Sequence, residues 1–186
     1  MTTEAIIFPW RISIQHTASM AKTVDANLIN PFLAATIEGL SVMAGLQPAR
    51  VRLFLKTSTR MHGDYGGVIG MTNGVTGSCV LSFPDSLARR IVARMMSEPD
   101  PQSLAQELIL DGIGEMANLV AGGAKRTLAG GVHHFDISTP TLLFGSPIEL
   151  YNPPETVSIA AEFTAHPDWK ETFLFELATK PKELVR

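Results

Sequence analysis

Hydrophobic positions change period several times along this chain. Within residues 25–45, Phe32, Leu33, Thr36, Ile37, Leu40 and Met43 or Ala44 recur at helical spacing. Asn30-Pro31 predicts the start of that helix, since proline at the first helical position loses no hydrogen bond, and Gly45 predicts its stop. From Val51 to Phe83 the period falls to two, and the runs 51–59, 65–72 and 75–83 read as strands. Asn73-Gly74 between the last two predicts a hairpin turn with positive φ at both central residues. Pro84-Asp85-Ser86 then opens an amphipathic helix, with Leu87, Ile91, Val92 and Met95 inward and Arg89, Arg90 and Arg94 in water. A longer helix is expected over roughly 103–128. The runs 134–139, 141–145, 147–151, 157–165 and 172–179 are strand-like again, separated by Pro, Asn and Gly. This order predicts an α+β fold, an antiparallel sheet formed from two strand groups with long helices packed on it. Residues 1–24 show no clean period and read as an N-terminal extension, a loose tail or an added strand; the domain proper is expected over 25–186.

Composition narrows the function classes. With 45% hydrophobic and 18% charged residues the chain reads as globular. A net charge of -3 and the lack of a basic cluster argue against nucleic acid as a partner, which needs phosphate neutralisation, and leave protein partners open. The single cysteine, Cys79, lies in an apolar alternating run and is expected as a buried structural thiol. No apolar run is long enough to span a membrane, and the N-terminus lacks a basic region followed by a long apolar segment, so a cytoplasmic location is expected. His133-His134 and the His62-Gly63-Asp64 run have no second pair at ligand spacing, so no metal site is expected on the chain.

The long helix carries the candidate chemistry. At about 100° per residue, Ile109, Ile113, Met116, Val120 and Thr127 share a face assigned to the core. Asp111, Glu115, Asn118, Gly122 and Lys125 fall within an arc of about 80° on the opposite side. A carboxylate and an amide thus stand one turn apart and point outward. Gly112, Gly114, Gly122 and Gly123 each cost about 0.8–1 kcal/mol relative to alanine, which a helix selected for stability alone would not carry. Gly114 and Gly122 border the polar stripe, where a missing side chain admits another backbone. Gly112 and Gly123 are open to that reading and equally to tight packing on the sheet or a neighbouring helix. The Glu-x-x-Asn spacing alone carries little, since Glu149 and Asn152 repeat it in a strand-like segment running into Pro153-Pro154.

The wider string is more specific. Residues 111–125 (DGIGEMANLVAGGAK) resemble the active helix of the CheC/CheX/FliY family of response-regulator phosphatases, the CheX branch most closely. Asp111, Glu115, Asn118 and Pro140 match the family pattern, and residues 29–45 and 77–96 resemble its first helix and its strand–helix passage. The resemblance implies hydrolysis of the aspartyl phosphate on a phosphorylated CheY-like receiver domain, with Asn118 orienting the attacking water and Glu115 pairing with the receiver's lysine. It further implies Mg2+ supplied by the receiver, no cofactor of the chain's own, one site per chain and a homodimer. Asp111, Gly114, Gly122 and Lys125 are the candidate partner-binding positions; for Asp111 and Lys125 a merely solvated role is the plainer alternative. The rival function is a non-catalytic receiver-binding or scaffold module like the flagellar switch middle domain.

Overall fold

A computed structural model describes residues 25–180, so the extension read over residues 1–24 lies outside the described residues. Asp25 caps the first helix, α1 (Ala26–Ala44), its carboxylate accepting the Asn27 N–H at 2.8 Å. The helix therefore starts about a turn and a half before the expected Asn30-Pro31 start, and Pro31 sits inside it. Pro31 removes one N–H close to an end that the Asp25 cap already holds. Gly45, at φ 60°, closes α1: its N–H bonds to the Ser41 carbonyl and that of Leu46 to Leu40.

The remaining elements are β1 (Ala49–Leu55), β2 (Tyr65–Thr72), β3 (Gly77–Phe83), α2 (Asp85–Met96), a single 3-10 turn, α3 (Gln106–Leu128), β4 (Asp136–Ile137), β5 (Thr141–Phe144), β6 (Val157–Thr164) and β7 (Thr172–Thr179). The strands form one antiparallel sheet in the order β1-β6-β7-β3-β2-β4, with β5 also paired to β2. The C-terminal hairpin β6–β7 is thus inserted between β1 and β3, and the expected α+β architecture of two strand groups under helices is the one observed. The run 147–151 is not a strand. Its backbone is taken by the segment before β2, with the Met61 N–H on the Ile148 carbonyl and the Leu150 N–H on Thr59. Asn73 and Gly74 do take positive φ, 56° and 132°. The last ladder pair, however, is Met71 with Gly77, so the connection is longer than a two-residue turn, and the Val75 N–H goes to the His134 carbonyl.

Register puts Ile69, Cys79, Leu81, Phe163, Phe175 and Leu177 on the sheet face that shares a core with all three helices. Three stacked ring pairs, Phe32–Phe175, Phe83–Phe173 and Phe163–Phe173, knit α1, β3, β6 and β7 together there. Cys79 is buried in this layer, and burial pushes its thiol up to about 12, the inert structural thiol expected. On the far face Lys56 and Glu176 form a buried ion pair at 2.8 Å.

Two side-chain expectations are corrected. Arg89, Arg90 and Arg94 are not simply in water. Arg89 pairs with Asp85 and donates to the Leu104 carbonyl, Arg90 lies over the Trp169 ring and pairs with Glu171, and Arg94 donates to the Ala44 carbonyl at the end of α1. Thr127 is exposed rather than in the core, its hydroxyl donating back to the Gly123 carbonyl. The small residues Ala117, Ala121 and Ala124 take the buried face in the second half of α3.

Candidate functional site

α3 lies directly on the sheet. A Cβ at Gly67 of β2 would stand 2.9 Å from the Ala117 Cβ, so only glycine lets the helix settle this close. Ile109, Ile113, Met116 and Val120 are buried beneath the helix as its period requires. That packing fixes the opposite face outward. Asp111, Glu115 and Asn118 are exposed, and neighbours three or four apart on a helix have Cβ atoms about 5–6 Å apart.

The helix is held from three sides through its glycines. A Cβ on Gly112 would meet the Val92 methyls of α2 at 2.8 and 2.9 Å. One on Gly123 would meet the Ala35 Cβ of α1 at 2.9 Å, and one on Gly114 would meet Leu142 Cδ2 of β5 at 2.9 Å. Gly112 and Gly123 thus serve internal packing. Gly114 is buried against its own chain, and only Gly122 opens outward, with nothing nearer than the Arg126 guanidinium at 3.7 Å.

The stripe's charges divide into two groups. Lys125 Nζ pairs with Asp136 Oδ1 at 2.8 Å, and the Asn73 amide donates to the other oxygen at 2.8 Å. The Lys125 bond first, and the Asn73 bond after it, hold the Asp136 carboxyl below the usual carboxylate range. This tie links the C-terminal half of α3 to β4 and the β2–β3 turn. In contrast, Asp111, Glu115 and Asn118 make no side-chain hydrogen bond or ion pair among the described residues. Two carboxylates and an amide are therefore presented to solvent with their donors and acceptors open to an external partner.

Beside Glu115 lies a hollow of about 320 Å3, lined by Asp111, Gly114, Glu115, Pro140 and Leu142. Pro140, singled out in the sequence far from the helix, is thus brought to the Asp111–Glu115 end of the stripe. Leu142 and Phe144 are 36% and 50% exposed on the edge strand β5, and Phe144 leans on Tyr65 with ring centroids 4.7 Å apart. Sequence reading missed this apolar border. The run 141–145 showed a strand but not which of its residues would be left uncovered.

The other candidates lie elsewhere. Glu149 and Asn152 are off any helix, and Glu149 accepts from the Tyr151 hydroxyl at 2.5 Å. His133 pairs with the Asp25 cap at 2.8 Å, while His62 and His134 bond to backbone carbonyls.

A family model described as chemotaxis phosphatase CheX matches residues 65–164, more than half of the chain and including the whole α3 stripe. The CheY-P phosphatase CheX of Thermotoga maritima is 28% identical over 127 residues, 68% of this chain and 81% of that protein. The crystal structure of the chemotaxis protein CheX from Vibrio vulnificus superposes with a TM-score of 0.70 and 32% identity, covering 82% of this chain and 99% of that one. A CheX from Borrelia burgdorferi, solved as a complex with CheY, BeF3 and Mg2+, shares the fold at a TM-score of 0.69 and 21% identity over 82% of this chain and 97% of that one. Carrying the matched segment on the same α+β frame, this chain belongs to the chemotaxis phosphatase CheX family, whose members are protein phosphatases and so hydrolases.

Proposed function

We propose that this chain hydrolyses the aspartyl phosphate of a CheY-like response regulator, with Asn118 placing the attacking water and Glu115 holding the receiver's lysine. The observation that carries the reading is the exposed Glu115–Asn118 pair, without a side-chain partner among the described residues, on a helix pinned from three sides. Its substrate is suggested by the family relation, above all to the CheY-P phosphatase of Thermotoga maritima.

Phosphoryl transfer asks little covalent work of the enzyme, because in-line placement and charge neutralisation supply most of the gain. The Asn118 amide can accept from a water through its oxygen and donate through its nitrogen, which fixes the direction of that water's lone pair. As the water oxygen bonds to phosphorus, the bond to the receiver's carboxylate breaks and the water proton passes to the departing phosphate. Glu115 makes a charge-assisted bond to the lysine ammonium and so sets the docking register. In this proposal the Mg2+ belongs to the receiver. Among the described residues no group of three or more His, Cys, Asp or Glu stands ready to hold a metal.

The test follows phosphate loss from a labelled CheY-type receiver with wild type, Asn118→Ala and Glu115→Gln. Asn118→Ala is expected to lower kcat by about 10²-fold with little change in KM. Glu115→Gln is expected to raise KM. Binding of the receiver without any acceleration by wild type would leave the scaffold reading in its place.

A further inference from the structure

Beneath the Glu115–Asn118 face, α3 is seated on one rung of the sheet. Gly67 of β2 is buried and pairs with Leu81 of β3 on one side and with Leu142 of β5 on the other. A Cβ at Gly67 would stand 2.9 Å from the Ala117 Cβ, 3.3 Å from the Ile113 carbonyl oxygen and 3.4 Å from Ile113 Cγ2. Gly114, in the same turn of α3, rests on Leu142, the ladder partner of Gly67. The turn 113–117 therefore takes its height from this one rung, and it carries Glu115 and leads straight into Asn118. Gly67 does not have the positive φ that would call for glycine on backbone grounds. Its missing side chain answers instead to the helix above it. One methyl, that of Ala117, fits between β2 and α3; two do not.

Neither side of this contact can yield by rotation. Alanine has no rotamer to change, and β2 is laddered on both edges at Gly67. A methyl added there must lift the turn by up to about 1 Å, because carbon pairs prefer about 3.5–4.0 Å. α3 would then move relative to β5, whose border residues Pro140 and Leu142 stand beside Glu115. A protein interface buries about 800 Å2 on each partner, more than one helix stripe presents, so a docked receiver rests on neighbouring elements as well as on α3. The height of α3 within that surface decides where the Asn118 amide holds its water. We propose that Gly67 is a positioning residue for the hydrolysis, setting the height of Asn118 through Ala117 while touching neither receiver nor phosphate. The proposal rests on the reading of Asn118 as the water-placing group.

The experiment measures steady-state dephosphorylation of a CheY-type receiver, with circular dichroism giving the fold and melting midpoint of each variant. Gly67→Ala is expected to lower kcat by up to about 10²-fold at unchanged KM. The double variant Gly67→Ala/Ala117→Gly moves the one methyl from α3 to β2 and is expected to recover kcat, since the Ile113 atoms at 3.3 and 3.4 Å need yield only slightly. Glycine is the poorer helix former, so the melting midpoint of the double variant stays below that of wild type, and activity no longer follows stability. In an Asn118→Ala background, Gly67→Ala should have no further effect on kcat, because a residue acting only through Asn118 has nothing left to place. Full kcat in a folded Gly67→Ala chain would overturn the proposal. So would a loss that persists in the double variant or adds to that of Asn118→Ala, and so would a raised KM at full kcat, which would make the contact a docking determinant. If Gly67→Ala does not fold, the double variant decides: wild-type kcat at a lower melting midpoint supports the seat, and a folded chain without hydrolysis overturns it. The two readings fail separately. Asn118-dependent hydrolysis indifferent to Gly67 removes only the positioning role, whereas a wild-type chain that gives no acceleration removes both.

Discussion

Two adjacent glycines of α3 make the same substitution run in opposite directions. Alanine is about 0.8–1 kcal/mol better than glycine inside a helix, and both Gly122 and Gly123 are interior to α3. At Gly122 a Cβ finds only the Arg126 guanidinium at 3.7 Å, an ordinary contact, so Gly122→Ala keeps the whole gain. At Gly123 the same atom would stand 2.9 Å from the Ala35 Cβ, where carbon pairs prefer about 3.5–4.0 Å. Ala35 has no rotamer to change, so α1 and α3 must part. Overpacking of this kind costs about 1–3 kcal/mol, which cancels or exceeds the helix gain. Gly122→Ala should therefore raise the melting midpoint by about 2–4 °C, and Gly123→Ala should leave it unchanged or lower it by up to about 8 °C. Thermal unfolding followed by circular dichroism decides it. Equal stabilisation by both would refute the close α1–α3 approach, and destabilisation by Gly122→Ala would refute the open face. The stable variant then bears on docking. If the receiver backbone passes over Gly122, the added methyl raises KM at unchanged kcat, while an unaltered KM removes Gly122 from the docking face.

Two further outcomes follow from the polar contacts. Asp136, held low by Lys125 and Asn73, contributes stability above its unfolded value of about 3.9 and loses it as pH falls through the lower folded value. The melting-point gap between wild type and Asp136→Asn should therefore persist at about pH 6 and narrow as pH falls below about 3.9; a gap independent of pH would show that the Lys125 tie does not operate in solution. The Tyr65 hydroxyl is buried and makes no hydrogen bond of ordinary geometry among the described residues; burial first, with the Asp85 carboxylate adding to it, pushes its phenol up. Tyr65→Phe should leave stability unchanged or raise it by about 1 kcal/mol in chemical denaturation, and a clear loss would reveal a bound water or another partner.

How much of this was legible in the sequence depended on the range of the interaction. The α3 stripe was readable because a helical period is set by neighbours three and four apart, and the same rule placed Ile109, Ile113, Met116 and Val120 in the core. Thr127 failed because periodicity does not say where the core ends, and there the buried face is carried by alanines instead. The Asn30-Pro31 start failed because a strong local signal was weighed without Asp25, whose cap sets the first turn upstream. The strand runs other than 147–151 were readable, but their order was not: β6–β7 enters between β1 and β3 through pairings with no local signature. Lys125 looked solvated because its partner Asp136 lies beyond the helix end, and the exposure of Leu142 depends on where the sheet stops.

These failures and successes meet at one physical requirement of the site. An amide that places a water needs a backbone that does not move, and polar groups on a mobile helix would give little beyond solvation. The glycines at 112, 114 and 123 weaken α3 as an isolated helix, yet they let α2, β5 and α1 approach it closely from three sides. Lys125, through Asp136, ties its C-terminal half to β4. Among the described residues, what remains untied is the arc holding Asp111, Glu115 and Asn118. Local helix stability has been exchanged for tertiary rigidity, which holds the face of α3 carrying Asp111, Glu115 and Asn118 steady toward solvent.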